Sequence, residues 1–201
     1  ARLPNTDLLR LSRRHAIGLV ILAAYGCSPI AATDAPRGST QLFVWAWDVS
    51  KDADDFLAVV DVNRRSATYG QIVRTLPARG GRGAHHVEYE MTTGQLFANS
   101  FETGRTFIFD LGDPGHPRQL SEFGDVGAYS HPHSFARTPN GTVLGTFQGL
   151  ASDHRAVGGL VEMDDHGKLI RAASAANRLD RDLRPYSLTI VPQLDRVVTT
   201  S

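Results

Sequence analysis

Cysteine is nearly absent: Cys27 is the only one in 201 residues. One thiol excludes an intramolecular disulfide framework and every zinc or iron–sulfur site that draws several cysteines from one chain. Any metal must then be held by His, Asp or Glu. A surplus of charge is also lacking, with 21 basic against 21 acidic side chains, which argues against a dedicated nucleic-acid partner. Long hydrophobic runs are missing as well. The apolar stretch 16–26 has 11 residues, whereas a spanning helix needs about 18 or more. With 19 glycines and 10 prolines, the two together make about 14%, well below low-complexity composition. What is left is an ordinary globular composition, long enough for one large domain or two small ones.

Residues 1–40 differ in character from the rest. Arg10, Arg13 and Arg14 precede the apolar stretch and small residues follow it to Ala32, the order of a secretory signal. Ser12-Arg13-Arg14 carries the paired arginines of the twin-arginine route. Cys27 follows Ala24-Tyr25-Gly26, which resembles a bacterial lipoprotein cleavage box and makes Cys27 the candidate lipidation site. The competing reading, a buried amphipathic first helix, lacks the polar face that i, i+3, i+4 spacing would give. Residues 33–40, with Pro36 and Gly38, read as a tether. The expectation is an exported protein, periplasmic or lipid-anchored, that meets the membrane only through such an anchor.

From Gln41 onward, short β-branched or aromatic runs alternate with turn residues and no helical period is sustained, so the body is expected to be all-β. Candidate strands are 42–47, 56–62, 71–76, 86–90, 95–101, 106–111, 119–123, 134–137, 142–147, 159–163, 168–172, 187–191 and 196–200. Thr93-Gly94, Pro139-Asn140-Gly141 and His166-Gly167 are hairpin-sized breaks in which Gly supplies positive φ. Two repeats interleave. Val59-Val60-Asp61-Val62, Ile108-Phe109-Asp110-Leu111 and Val161-Glu162-Met163-Asp164 place Asp61, Asp110 and Asp164 at intervals of 49 and 54. In the second series His86, His133 and Ser187 are each followed eight residues later by Gly94, Gly141 and Asp195, and then by a strand.

Self-similarity at about 50 residues with four short strands per unit is the signature of a β-propeller blade. Residues 41–201 hold about three such units, whereas propellers usually close with about four to eight. The chain begins at Ala1 and stops at Thr199-Thr200-Ser201 in a strand-like run. The expectation is an incomplete β-propeller over 41–201, part of a longer protein, preceded by a leader and tether over 1–40.

An ordered set of segments resembles the selenium-binding protein / methanethiol oxidase family. It comprises Val44-Trp45-Ala46, residues 55–62 (DFLAVVDV), residues 69–77 (YGQIVRTLP), His85-His86, residues 107–112 (FIFDLG) and His131-Pro132-His133. The resemblance implies a seven-bladed propeller, copper, and oxidation of a small thiol such as methanethiol. Two departures stand out. The family's selenium-linked cysteine falls at Gly70, and its cysteine pair is absent from Val87-Glu88-Tyr89-Glu90, so thiol-based selenium binding is not expected. The second histidine segment has one residue between its histidines, Pro132, where the family generally has two.

His86 and His133 head innermost strands at equivalent repeat positions, where side chains of successive blades converge on the channel. Neutral imidazoles from several strands suit a borderline metal such as copper. Alternation along an extended strand lets only one of His85 and His86 face the channel, with His86 favoured. His131 and His133 share a face if their segment is extended, as the restriction before Pro132 suggests. The candidate metal ligands are therefore His86, His133, His131 and His85. Hydrogen-bonded channel histidines without metal are the plainer reading. His116, His154 and His166 lie in loops and turns and are expected to be solvated. Asp61, Asp110 and Asp164, at strand ends, are expected to cap turns. Trp45 and Trp47 share a strand face and are expected to pack between blades. Competing functions are a non-catalytic propeller that binds a ligand or protein, and a metal-dependent hydrolase, which would require carboxylate and Asn ligands in the channel.

Overall fold

The computed structural model describes residues 40–201 apart from 51, 89 and 177–182; the leader, Arg13, Arg14 and Cys27 lie outside them. Among the described residues every apolar run becomes a strand, in this order: β1 (Gln41–Ala46), β2 (Phe56–Asp61), β3 (Ile72–Pro77), β4 (Ala84–Val87), β5 (Gln95–Ser100), β6 (Arg105–Asp110), β7 (Arg118–Phe123), β8 (Tyr129–Arg137), β9 (Val143–Leu150), β10 (Gly159–Met163), β11 (Leu169–Ser174), β12 (Leu188–Val191) and β13 (Arg196–Thr199). They pair as antiparallel meanders, β1-β2-β3, β4-β5-β6-β7 and β8-β9-β10-β11, followed by the hairpin β12-β13. The architecture is all-β, a run of propeller blades with the inner strands β4, β8 and β12 as successive neighbours.

A blade flanked on both sides must be apolar on both faces, and the second blade shows this residue by residue. In β5 and β6, Leu96, Ala98, Phe107 and Phe109 face the first blade, where they bury Leu57 and Ala78 and pack Trp45. Phe97 and Ile108, one step out of phase, face the third blade and meet Phe135, Val143, Phe147, Val161 and Met163. Each phenylalanine so buried contributes about 1.5–3 kcal/mol of transfer free energy. The outermost strands β3 and β11 are exposed along nearly their whole length.

The repeated aspartates close turns. Asp61, Asp110 and Asp164 each accept, through Oδ1, the N–H two residues on, from Asn63 at 2.8 Å and from Gly112 and His166 at 2.9 Å. Trp45 packs between blades as expected, its ring centroid 5.8 Å from Phe107 and 5.6 Å from Phe109, with Nε1 donating to the Asn99 carbonyl at 2.8 Å. Trp47 lies one residue past the end of β1 and is 44% exposed. Strand β8 starts at Tyr129 rather than 134 and takes in His131-Pro132-His133. As β8 is an edge strand of its sheet, Pro132 forfeits no ladder bond on the open side.

Candidate metal centre

The site begins with a backbone irregularity that occurs three times. In β4, Ala84 pairs with Ser100 and Val87 with Ala98, three residues against two. In β8, Pro132 pairs with Phe147 and Phe135 with Gly145, again three against two. Before β12, the Tyr186 N–H donates to the Thr200 carbonyl while the Thr200 N–H donates to the Ser187 carbonyl, so two residues face one. An extra residue of this kind is a β-bulge, which breaks alternation and re-aims side chains. The bulged pairs are His85-His86, His133-Ser134 and Tyr186-Ser187.

This register corrects two expectations. His133 is structurally equivalent to His85 and Tyr186, not to His86. Counting eight residues back from the turn misplaces it because the connection from Phe135 to Thr142 is one residue shorter than those from Val87 to Gln95 and from Leu188 to Arg196. His85 and His86 also do not divide between two faces, because the bulge brings both rings to the same place. Their centroids are 4.4 Å apart, and each lies close to His133, at 4.7 Å from His85 and 4.5 Å from His86.

One ring nitrogen from each of His85, His86 and His133 falls within 4.8 Å of the others, and the three grade from exposed to buried in that order. His133 Nδ1 lies 2.9 Å from the Tyr186 carbonyl. A carbonyl only accepts, so Nδ1 carries the proton and Nε2 presents its lone pair to the cluster. His85 Nε2 stands 3.0 Å from that Nε2. His86 Nε2 is buried and has no hydrogen-bond partner among the described residues. Burial, reinforced by His86 and His85, lowers His133 to about 4; burial and then His85 lower His86. Both are therefore neutral at pH 7 and available as ligands.

These features fit a metal. Two imidazole nitrogens each about 2.0–2.1 Å from one ion stand roughly 3–4 Å apart, the backbone carbonyl fixes the tautomer of one ring as outer-sphere partners do, and a second ring, His86, keeps a buried nitrogen without a hydrogen-bond partner among the described residues. Tyr186 closes one side, its ring centroid 3.7 Å from His133, and Phe101 another, 5.5 Å from both His85 and His133.

His131 does not join the three. Its φ is +57°, so the segment is not extended at that residue and the ring turns away. It rests 4.4 Å from the His154 ring, with Nδ1 3.1 Å from the Ser130 hydroxyl. Burial and then His154 lower its pKa. His154 is exposed, as expected, with its ring against that of His131, and His116 is exposed and pairs with Asp113.

Sequence reasoning passed over four participants. Tyr186 gave no signal because the third repeat copy was read from Ser187. Asn99 hid among strand residues. Glu88, one residue past the end of β4, and Arg137, the last residue of β8, lie beyond the histidines and form a fully buried bidentate pair, Nη2 to Oε1 at 3.0 Å and Nε to Oε2 at 3.1 Å. Arg137 also bonds Asp165 and the Gly141 carbonyl. Burial pushes the Glu88 carboxyl up, and Arg137 opposes that rise. A glutamate just past one inner strand and an arginine at the end of the next, next to residues patterned for the core, were the available clue.

No protein-family model matches the chain. Two curated proteins do. It is 29% identical over 182 residues to a methanethiol oxidase of Hyphomicrobium sp, covering 87% of this chain and 41% of that protein. It is 29% identical over 137 residues to a methanethiol oxidase of Ruegeria pomeroyi, covering 64% of this chain and 31% of that one. Among solved structures, a hypothetical selenium-binding protein from Sulfolobus tokodaii superposes with a TM-score of 0.56 at 20% identity, over 65% of this chain and 33% of the other. The chain is thus similar to proteins of the selenium-binding protein / methanethiol oxidase family. A protein of unknown function from Bacteroides caccae has the same fold, with a TM-score of 0.52 at 12% identity over 80% of this chain and 50% of that one. The chain spans well under half the length of the curated relatives it matches.

Proposed function

We propose that His85, His86 and His133 are ligands of a copper centre in an exported propeller that oxidises a small thiol such as methanethiol. The observation that carries this is the convergence of three imidazoles, His85, His86 and His133, each offering a ring nitrogen within 4.8 Å of the others, while His86 Nε2 is buried without a hydrogen-bond partner among the described residues. Imidazole suits copper, and copper supplies a centre that binds soft sulfur and changes redox state, with dioxygen as the electron acceptor. The chain's residues do the positioning. His133 is held by the Tyr186 carbonyl, His86 sits at intermediate depth, and exposed His85 marks the side from which a small molecule approaches. The relatives named methanethiol oxidase support the choice of substrate. The leader would export the protein, either free in the periplasm or held to the membrane by a lipid on Cys27.

The test is copper content and thiol-dependent oxygen consumption of the full-length protein, with His86→Ala and His133→Ala alongside. Loss of both properties in the variants is expected, whereas variants with wild-type copper and activity would sink the assignment. Mass spectrometry of the native N-terminus tests export: an unprocessed leader on cytoplasmic protein contradicts it, and a diacylglyceryl group on Cys27 supports the anchor. A non-catalytic, ligand-binding propeller is the second reading. It is favoured by the 3.0 Å contact that lets His85 and His133 satisfy each other without an ion, and it stands if the wild type takes up no copper.

A further inference from the structure

The register that aligns the three bulges also aligns one residue on the second strand of each blade. Counting four residues on from the partner of the repeated aspartate, Gln41 opposite Asp61, Gln95 opposite Asp110 and Thr142 opposite Asp164, gives Trp45, Asn99 and Thr146. The same count from Arg196 gives Thr200. The last three make one repeated contact backward. Asn99 Oδ1 accepts the His86 N–H at 2.6 Å, Thr146 Oγ1 accepts the Ser134 N–H at 3.0 Å, and Thr200 Oγ1 accepts the Ser187 N–H at 3.1 Å. Each acceptor thus takes the amide of the second residue of its own blade's bulge.

Two of them also reach forward. Asn99 Nδ2 donates to the Pro132 carbonyl at 2.8 Å, and Thr146 Oγ1 donates to the Tyr186 carbonyl at 2.7 Å. In the first sheet, Trp45 donates forward from the same position to Asn99. Asn99 and Thr146 are both 0% exposed. A buried amide in a strand interior is unfavourable unless satisfied, and here both ends of the amide have partners on the strands that carry histidines.

We infer that Asn99 and Thr146 are positioning residues for the metal centre: each clamps a bulge in its own inner strand to the inner strand of the next blade, and together they set the separation of His85-His86, His133 and Tyr186. This rests on the reading of the three histidines as metal ligands. Thr146 acts closest to a ligand, since the Tyr186 carbonyl it bonds is the one that fixes the His133 tautomer. Asn99 governs the gap between the strands of His86 and His133. The repeat itself suggests the control substitutions, because a hydroxyl does at Thr146 what an amide does at Asn99.

Hydrogen exchange of the His86 and Ser134 amides and titration with copper(II) alone are measured on full-length wild type, Asn99→Val, Asn99→Thr, Thr146→Val and Thr146→Ser. The valine variants should exchange the His86 or Ser134 amide at least about tenfold faster and bind copper about 10–100-fold more weakly, the range typical of lost outer-sphere partners. The Thr and Ser variants should recover most of both. Asn99→Asp, which keeps the acceptor and loses the donor, should retain His86 protection yet still weaken copper, and it decides the matter if Asn99→Val does not fold. Valine variants that lose protection but keep wild-type copper affinity overturn the clamp alone. A wild type that takes no copper overturns the metal reading beneath it.

Discussion

The two seams between blades are built on the same plan and used differently. Between the first and second blades, aromatic packing is accompanied by neutral links and one carboxylate: the Trp45 indole to the Asn99 carbonyl at 2.8 Å, and the Ser100 hydroxyl to buried Asp55 at 2.6 Å. Between the second and third blades the same depth of phenylalanine packing is flanked by a buried Glu88–Arg137 pair on one side and three imidazoles on the other. The first seam is mainly adhesive. The second holds polar groups in low-dielectric surroundings, where fixed partners make them specific and the loss of one partner is costly. Sheet packing supplies the rigidity, and a one-residue bulge on each inner strand turns it into a site.

Breaking the charged seam should have the largest effect. Arg137→Met leaves Glu88 buried without its cation and should cost about 3–5 kcal/mol, whereas Glu88→Leu with Arg137→Met should recover most of that loss; urea denaturation of the three variants measures both. A double variant as unstable as Arg137→Met alone would mean that the pair does more than neutralise itself. In the adhesive seam, Phe107→Ala should cost about 3 kcal/mol or more but leave copper bound per folded molecule unchanged, because Phe107 faces away from the histidines. Trp45→Phe keeps the packing and loses one hydrogen bond, for about 1 kcal/mol. Asp110→Asn, at a turn outside both seams, should be smaller still and pH-dependent. The Gly112 N–H and then Arg118 hold the Asp110 carboxyl below its ordinary range, so its contribution is complete above the unfolded carboxylate pKa and fades as pH falls through the folded value. Melting curves from pH 7 down to pH 3 should converge for the wild type and this variant.

Much of the architecture could be read from the chain because its signals are local. Alternating apolar runs bounded by Gly and Asp marked strands that the structure reproduces to within a few residues, β8 excepted. The aspartates at 61, 110 and 164 marked turns through a bond that spans only two residues. The site was less legible because it depends on register. A bulge has no residue signature of its own, so β4 looked like a strand with alternating histidines although the backbone brings both together. A single residue missing from one hairpin was enough to align His133 with His86 instead of His85. His131 looked equivalent to His133 until its positive φ turned the ring toward His154. Asn99 and Thr146 were invisible as a pair because only the pairing of strands, and not their sequence, places them behind the same ring of histidines.

The contrast between His133 and His131 tests the account most directly, since the two lie two residues apart on one strand and only one faces the cluster. Copper bound per folded molecule, measured by mass spectrometry of metals on full-length wild type, His133→Ala and His131→Ala, should fall sharply in His133→Ala and stay at the wild-type level in His131→Ala. Equal copper in all three proteins, or loss on removing His131 alone, would contradict a centre built from His85, His86 and His133.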